Sequence, residues 1–177
     1  MTIEEAKKLY LKYDCSLFAM AREDRSAYEN YKALNISRKI ENDWRQDLFN
    51  ILFSEIKKIG DAALFTRMYY LLENMHNREK LYIMKDSLKY IKYNDLKTKA
   101  YVSETVIGRK EIAERSGMIF WAYDIGEKEI AKELLLFVTN LLNSEVGDEN
   151  ITIRIKRDID TCRMIDSHLT LGVYNFT

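Results

Sequence analysis

Apolar residues recur at steps of three and four along most of this chain. The clearest run is Ile40, Trp44, Leu48, Ile51, Leu52, Ile56 and Ile59, which predicts an amphipathic helix of about six turns. Ser37 stands where its N-cap belongs, Gly60 stops it, and Asp61 caps the next helix. Leu64, Met68, Leu71, Leu72 and Met75 give that next helix its face, and it is expected to end near Asn77. Leu81, Met84, Leu88 and Ile91 carry a third stripe. Asn94 or Asp95 opens a fourth helix through Leu96, Ala100, Val102, Val106 and Ile107, with Gly108 as its break or kink. Ile112 begins the run into a hairpin over Gly117 to Asn143. The first helix of that hairpin is aromatic and ends near Asp124, and Gly126 makes the corner. The second carries Ile130, Leu134, Phe137, Val138 and Leu141 inward. Glu127 and Glu129 suit the positive end of its dipole.

The ends of the chain are less regular. Thr2 and Glu5 form a capping-box pattern, so a helix with Ala6, Leu9 and Tyr13 inward should follow. It either runs on through Cys15, Phe18, Ala19 and Arg22 or breaks near Asp14. Glu23 to Ser26 is expected to turn, and Tyr28, Tyr31 and Leu34 suggest a short helix ending near Asn35. Ser144 to Asn150 has the composition of a loop. Ile151, Ile155, Ile159, Cys162, Ile165 and Leu169 then predict a last helix, although Ile151, Ile153 and Ile155 also fit a strand. The tail from Thr170 to Thr177 is expected to be irregular. The whole reads as one all-α domain over residues 1–177, built of antiparallel helical hairpins stacked as a short α-α array or packed as an irregular bundle.

Composition supports that reading. The chain has no proline, which favours helices joined by short turns. Its 28 basic and 28 acidic residues balance, which argues against a general polyanion binder and leaves room for a local patch. Acidic residues in the first twenty positions do not suit a signal peptide. The longest purely apolar run, Leu134 to Val138, is too short to span a bilayer. Cys15 and Cys162 are the only cysteines and are expected to stay reduced, with the protein in the cytosol.

Three corners, at Gly60, Asn94 or Asp95, and Gly126, lie some 31 to 35 residues apart, a spacing found in helical-hairpin arrays. After Gly126 come Ala131, Leu135 and Val138 at offsets five, nine and twelve. After Gly60 the same offsets hold Phe65, Tyr69 and Leu72, and after Asp95 they hold Ala100, Glu104 and Ile107. With Phe49, Leu52, Phe53 and Ile56 on the first helix, residues 40–143 resemble tetratricopeptide-like repeats, without the proline that closes each unit in that family. The resemblance implies an extended concave surface lined by the first helix of each hairpin, and a protein or peptide partner. The places it implies for contact are Asp47, Asn50, Ser54, Lys57 and Lys58 on one helix and Phe120 and Tyr123 further on.

Candidate chemistry adds little. Glu73 and His76 have the Glu-x-x-His spacing of di-iron bundles, but the further ligands such a site needs are not legible, and a helix-end histidine is the plainer reading. Asp158, Cys162 and Asp166 share one side of the expected last helix without a convergent histidine. No phosphate loop, nucleophile elbow or Cys-x-x-Cys pair occurs, so no cofactor or metal is expected. Residues 78–101 are locally basic and interleaved with tyrosines, a nucleic-acid-like pattern in which Lys85, Lys89 and Lys92 would meet phosphates. Their place opposite Leu81, Leu88 and Ile91 also fits a solvated face. The sequence therefore favours a non-catalytic protein- or peptide-binding module. Nucleic-acid binding stands second, and an enzyme with a dispersed site third.

Overall fold

The computed structural model describes residues 1–72, 77–108, 117–142 and 167. The described residues form nine α-helices: α1 (Ile3–Lys12), α2 (Leu17–Glu23), α3 (Arg25–Lys32), α4 (Arg38–Ile59), α5 (Ala62–Leu71), α6 (Arg78–Ser87), α7 (Leu96–Ile107), α8 (Met118–Asp124) and α9 (Lys128–Leu142), with a 3-10 turn over Leu88–Tyr90. The fold is all-α. Among the described residues, no helix is long and apolar enough to cross a membrane. The loop, the last helix or strand and the tail expected after Asn143 lie outside the described residues, as do Met75 and Ile112.

Local chemistry sets the boundaries. Thr2 and Glu5 close a reciprocal capping box at α1. The Ser37 hydroxyl accepts from the Ile40 N–H, and the Asp61 and Asp95 carboxylates accept from Ala63 and Thr98. Gly60 and Gly126 take positive φ at two corners, 74° and 84°, where a side chain would be strained. The helix expected to end near Asn77 is described to Leu71, and Asn77 is the N-cap of α6: its side chain accepts from the Lys80 N–H. The first helix breaks after Lys12, and Asp24 alone separates α2 from α3.

Helices α4, α6 and α8 lie side by side in one layer, and α5, α7 and α9 in a second. Within this pattern α4 with α5 and α8 with α9 are the closest antiparallel pairs, whereas α6 and α7 are not a close pair. The core runs through both layers. Leu52, Ile56, Phe65, Met68, Leu81, Met84, Val102, Val106, Met118, Trp121, Ala131 and Val138 are all buried in it. The Thr66 and Thr105 hydroxyls meet at 2.9 Å to tie α5 to α7. The long helix corrects one expectation. Trp44, Leu48, Leu52 and Ile56 are buried, as is Phe49 of the expected repeat-like packing set, but Ile40, Ile51 and Ile59 are exposed.

Candidate functional site

The first helix of the chain packs on the N-terminal half of α4. Tyr10 stacks on Tyr31 with ring centroids 5.4 Å apart and lies 6.0 Å from Trp44. Lys7 reaches Asp47 at 2.7 Å. The pairs Tyr10–Trp44 and Lys7–Asp47 run in opposite senses, so the two helices are antiparallel. After α1 the chain turns sharply through Asp14 and Cys15, at φ 49° and 59°. Two successive non-glycine residues in the left-handed region cost about 1–3 kcal/mol each. Long-range contacts hold the turn. The Arg67 guanidinium on α5 donates to Asp14, Nη2 to Oδ1 at 2.6 Å and Nε at 3.2 Å, which raises the Arg67 pKa. The Cys15 N–H donates to the Tyr10 carbonyl at 2.9 Å.

This turn, α2, the start of α4 and the end of α5 enclose a cleft of about 1120 Å³. The reason for the opening is visible in α4. Arg38, Asn42, Arg45, Phe49, Leu52 and Ile56 follow one another at steps of four, three, four, three and four, so they form one stripe. Helix α5 has 10 residues against 22 in α4, so it covers only the apolar half of the stripe. The cationic half is left at the cleft.

The buried groups around the cleft are chemically quiet. Desolvation pushes the Cys15 thiol up to about 12, so it is protonated at neutral pH and is a poor nucleophile. Burial raises the Tyr10 and Tyr31 hydroxyls well above the ordinary range, with the bond to Glu41 adding to the shift at Tyr31. Tyr31 donates to Glu41 at 3.0 Å, while the buried Tyr10 hydroxyl has no hydrogen-bond partner among the described residues. Among the described residues no group of three His, Cys, Asp or Glu side chains could hold a metal ion. His76, Asp158, Cys162, Asp166 and His168 lie outside the described residues.

The contact residues expected on α4 are all exposed. Asp47 is paired with Lys7, Asn50 accepts from Gln46 at 2.9 Å, and the Lys57 ammonium sits 4.0 Å from the Phe53 ring centre. Ser54 and Lys58 make no hydrogen bond or ion pair among the described residues. Phe120 and Tyr123 are half-buried on α8, in the same layer but not directly against α4. In the basic segment, Lys85 pairs with Glu133 and Lys89 with Asp86. Arg78 meets Glu127 at 2.6 Å, and among the described residues Lys92 is the one of the three candidate phosphate-binding lysines without an ion pair. Sequence reasoning missed Arg38, Asn42 and Arg45. The signal was their exact continuation of the Phe49–Leu52–Ile56 spacing, which was read for apolar residues alone. No family model matches this chain, and neither a curated protein nor a solved structure matches it.

Proposed function

We propose that the chain is a non-catalytic binding module that docks a protein or peptide on the outer face of α4. The supporting observation is the continuity of that face. Asp43, Asp47, Asn50, Ser54 and Lys58 are exposed in line, over about 22 Å at the rise of an α-helix. That matches about six or seven residues of extended chain. The face offers carboxylate, amide, hydroxyl and ammonium groups, a mixture suited to backbone hydrogen bonds and side-chain charges of either sign. Lys57 adds a further cation at its edge, and Phe120 and Tyr123 on α8 supply apolar area within the same layer. Whether the hairpins share ancestry with tetratricopeptide repeats is secondary to this reading, which rests on the open face. Nucleic acid is the weaker reading because Lys85 and Lys89 already face carboxylates, which lowers their value to phosphates.

The test begins with affinity capture of a partner at stoichiometric yield. With that partner, Asn50→Ala, Lys58→Ala and Tyr123→Ala should each weaken binding while circular dichroism and the thermal midpoint stay near wild type. Unchanged affinity in all three folded variants would place the surface elsewhere.

A further inference from the structure

The cleft beside α4 holds more positive charge than the described residues neutralise. Lys12, Arg22, Arg38, Arg45 and Arg67 line it against Asp14, Glu23 and Glu41. Arg67 is taken by Asp14 and Arg22 by Glu23, at 2.6 and 2.8 Å. Glu41 is buried and accepts from Tyr31. Among the described residues, neither Arg38 nor Arg45 has a carboxylate partner. Arg38 is exposed and makes no hydrogen bond among the described residues. Arg45 is positioned rather than paired: its Nη1 donates to Asn42 Oδ1 at 2.8 Å, and its guanidinium lies 5.5 Å from the Tyr10 ring centre. A stacked, half-bonded guanidinium keeps its remaining N–H groups aimed and loses little freedom on binding a carboxylate.

We propose that this cleft binds an acidic peptide segment, with carboxylates on Arg38 and Arg45 and a backbone carbonyl on the Asn42 amide N–H. Three features select that occupant. The cavity, about 1120 Å³, is far larger than a free anion needs and slightly exceeds the usual range of small-ligand sites, about 300–1,000 Å³. Arg38 and Arg45 are two helical turns apart, about 10 Å along the axis, which is the span of about three residues of extended chain. Leu17 and Leu71 at the walls give apolar area to side chains between the two acids. The cleft lies on the side of α4 opposite Asp47, Asn50 and Ser54, so this site does not depend on the outer-face reading, and either can fail alone.

The experiment uses the full chain and a fluorescein-labelled hexaglutamate peptide, followed by anisotropy at low and physiological ionic strength, with hexalysine as the control. Hexaglutamate should bind and weaken as salt rises, and hexalysine should not bind. Arg38→Glu should weaken hexaglutamate by about tenfold or more, the loss expected for a charged hydrogen bond. Arg38 is an exposed residue, so that variant should melt close to wild type. Lys97→Glu, at an exposed position on α7 outside the cleft lining and the outer face of α4, should leave the affinity within about twofold, as a single surface charge changes little at physiological salt. Absence of binding, equal binding by Arg38→Glu, or an equal loss in Lys97→Glu would overturn the proposal. So would a thermal shift with inorganic phosphate that matches the peptide's and disappears in Arg38→Glu, because the cleft would then be a free-anion site.

Discussion

The two halves of α4 share one stripe and use it in opposite ways. In the C-terminal half, Phe49, Leu52 and Ile56 are buried to within 1% under α5 and α6. The first half places Arg38, Asn42 and Arg45 at the same positions of the helix repeat, beyond the reach of α5. The groups that cost free energy gather at that cationic end: left-handed Asp14 and Cys15, the buried Glu41 carboxylate and the unpaired Tyr10 hydroxyl. The apolar half supplies stability by ordinary close packing. The cationic half carries strain and desolvated polar groups, the features on which the proposed binding cleft rests.

Substitutions along the stripe test this division directly. Leu52→Ala should destabilise the fold by about 2–5 kcal/mol, through lost transfer free energy and the cavity left behind. Arg38→Ala, two heptads earlier on the same stripe, should change stability by less than about 0.5 kcal/mol. Denaturant titrations of both variants give the comparison. Similar losses at the two positions would show that Arg38 is a packing residue and that the stripe is uniform.

Much of this architecture was legible in the sequence. Thr2, Ser37, Asp61 and Asp95 cap as their positions suggest, because short polar side chains before a periodic run satisfy orphan N–H groups. Gly60 and Gly126 turn where a left-handed residue is needed. Hydrophobicity alone places Ile40, Ile51 and Ile59 inward, whereas the stripe through Phe49, Leu52 and Ile56 leaves them exposed. The cleft was not legible. It depends on α5 being short and on Arg67 meeting Asp14 across 53 residues, and no local pattern encodes either fact.

Within the cationic end, the tyrosine pair separates a satisfied buried polar group from an unsatisfied one. Tyr31→Phe strips the Glu41 carboxylate of its buried donor and should cost about 1–3 kcal/mol. Tyr10→Phe removes a hydroxyl that has no partner, so it should be neutral or slightly stabilising. The same residues set an alkaline limit. The pKa values of Tyr10, Tyr31 and Tyr93 are raised by burial above the ordinary 10.0. Their contribution is therefore fully present below pH 10 and falls as pH rises beyond it, because the unfolded chain ionises first. Absorbance titration of the phenolates should show these three resisting ionisation until the fold is lost. Tyr31→Phe should reduce the steepness of that loss, and a native-state titration in which all twelve tyrosines ionise together near pH 10 would contradict the burial.

The smallest expected effect lies at the boundary between the two halves. Lys80, on α6, is buried with its ammonium 4.4 Å from the centre of the Phe49 ring, where the apolar part of the stripe begins. The ring attracts the cation by about 0.5–2 kcal/mol, but desolvation dominates and lowers the Lys80 pKa below 10.5. The folded protein therefore releases this proton at a lower pH than the unfolded chain does. Between the two values the unfolded chain binds more protons, so the Lys80 contribution rises with pH and is complete above 10.5. At neutral pH the folded state keeps a poorly solvated charge. Lys80→Met fills similar volume without that charge and should raise stability at pH 7 by up to about 1 kcal/mol. The advantage over wild type should shrink as the pH approaches 10. Comparing the two proteins at each pH removes the tyrosine contribution, which both share. A Lys80→Met protein that is less stable than wild type at pH 7 would mean that the attraction of Phe49 outweighs desolvation, and that the cationic character of this region extends one turn further into the core than the stripe of α4 suggests.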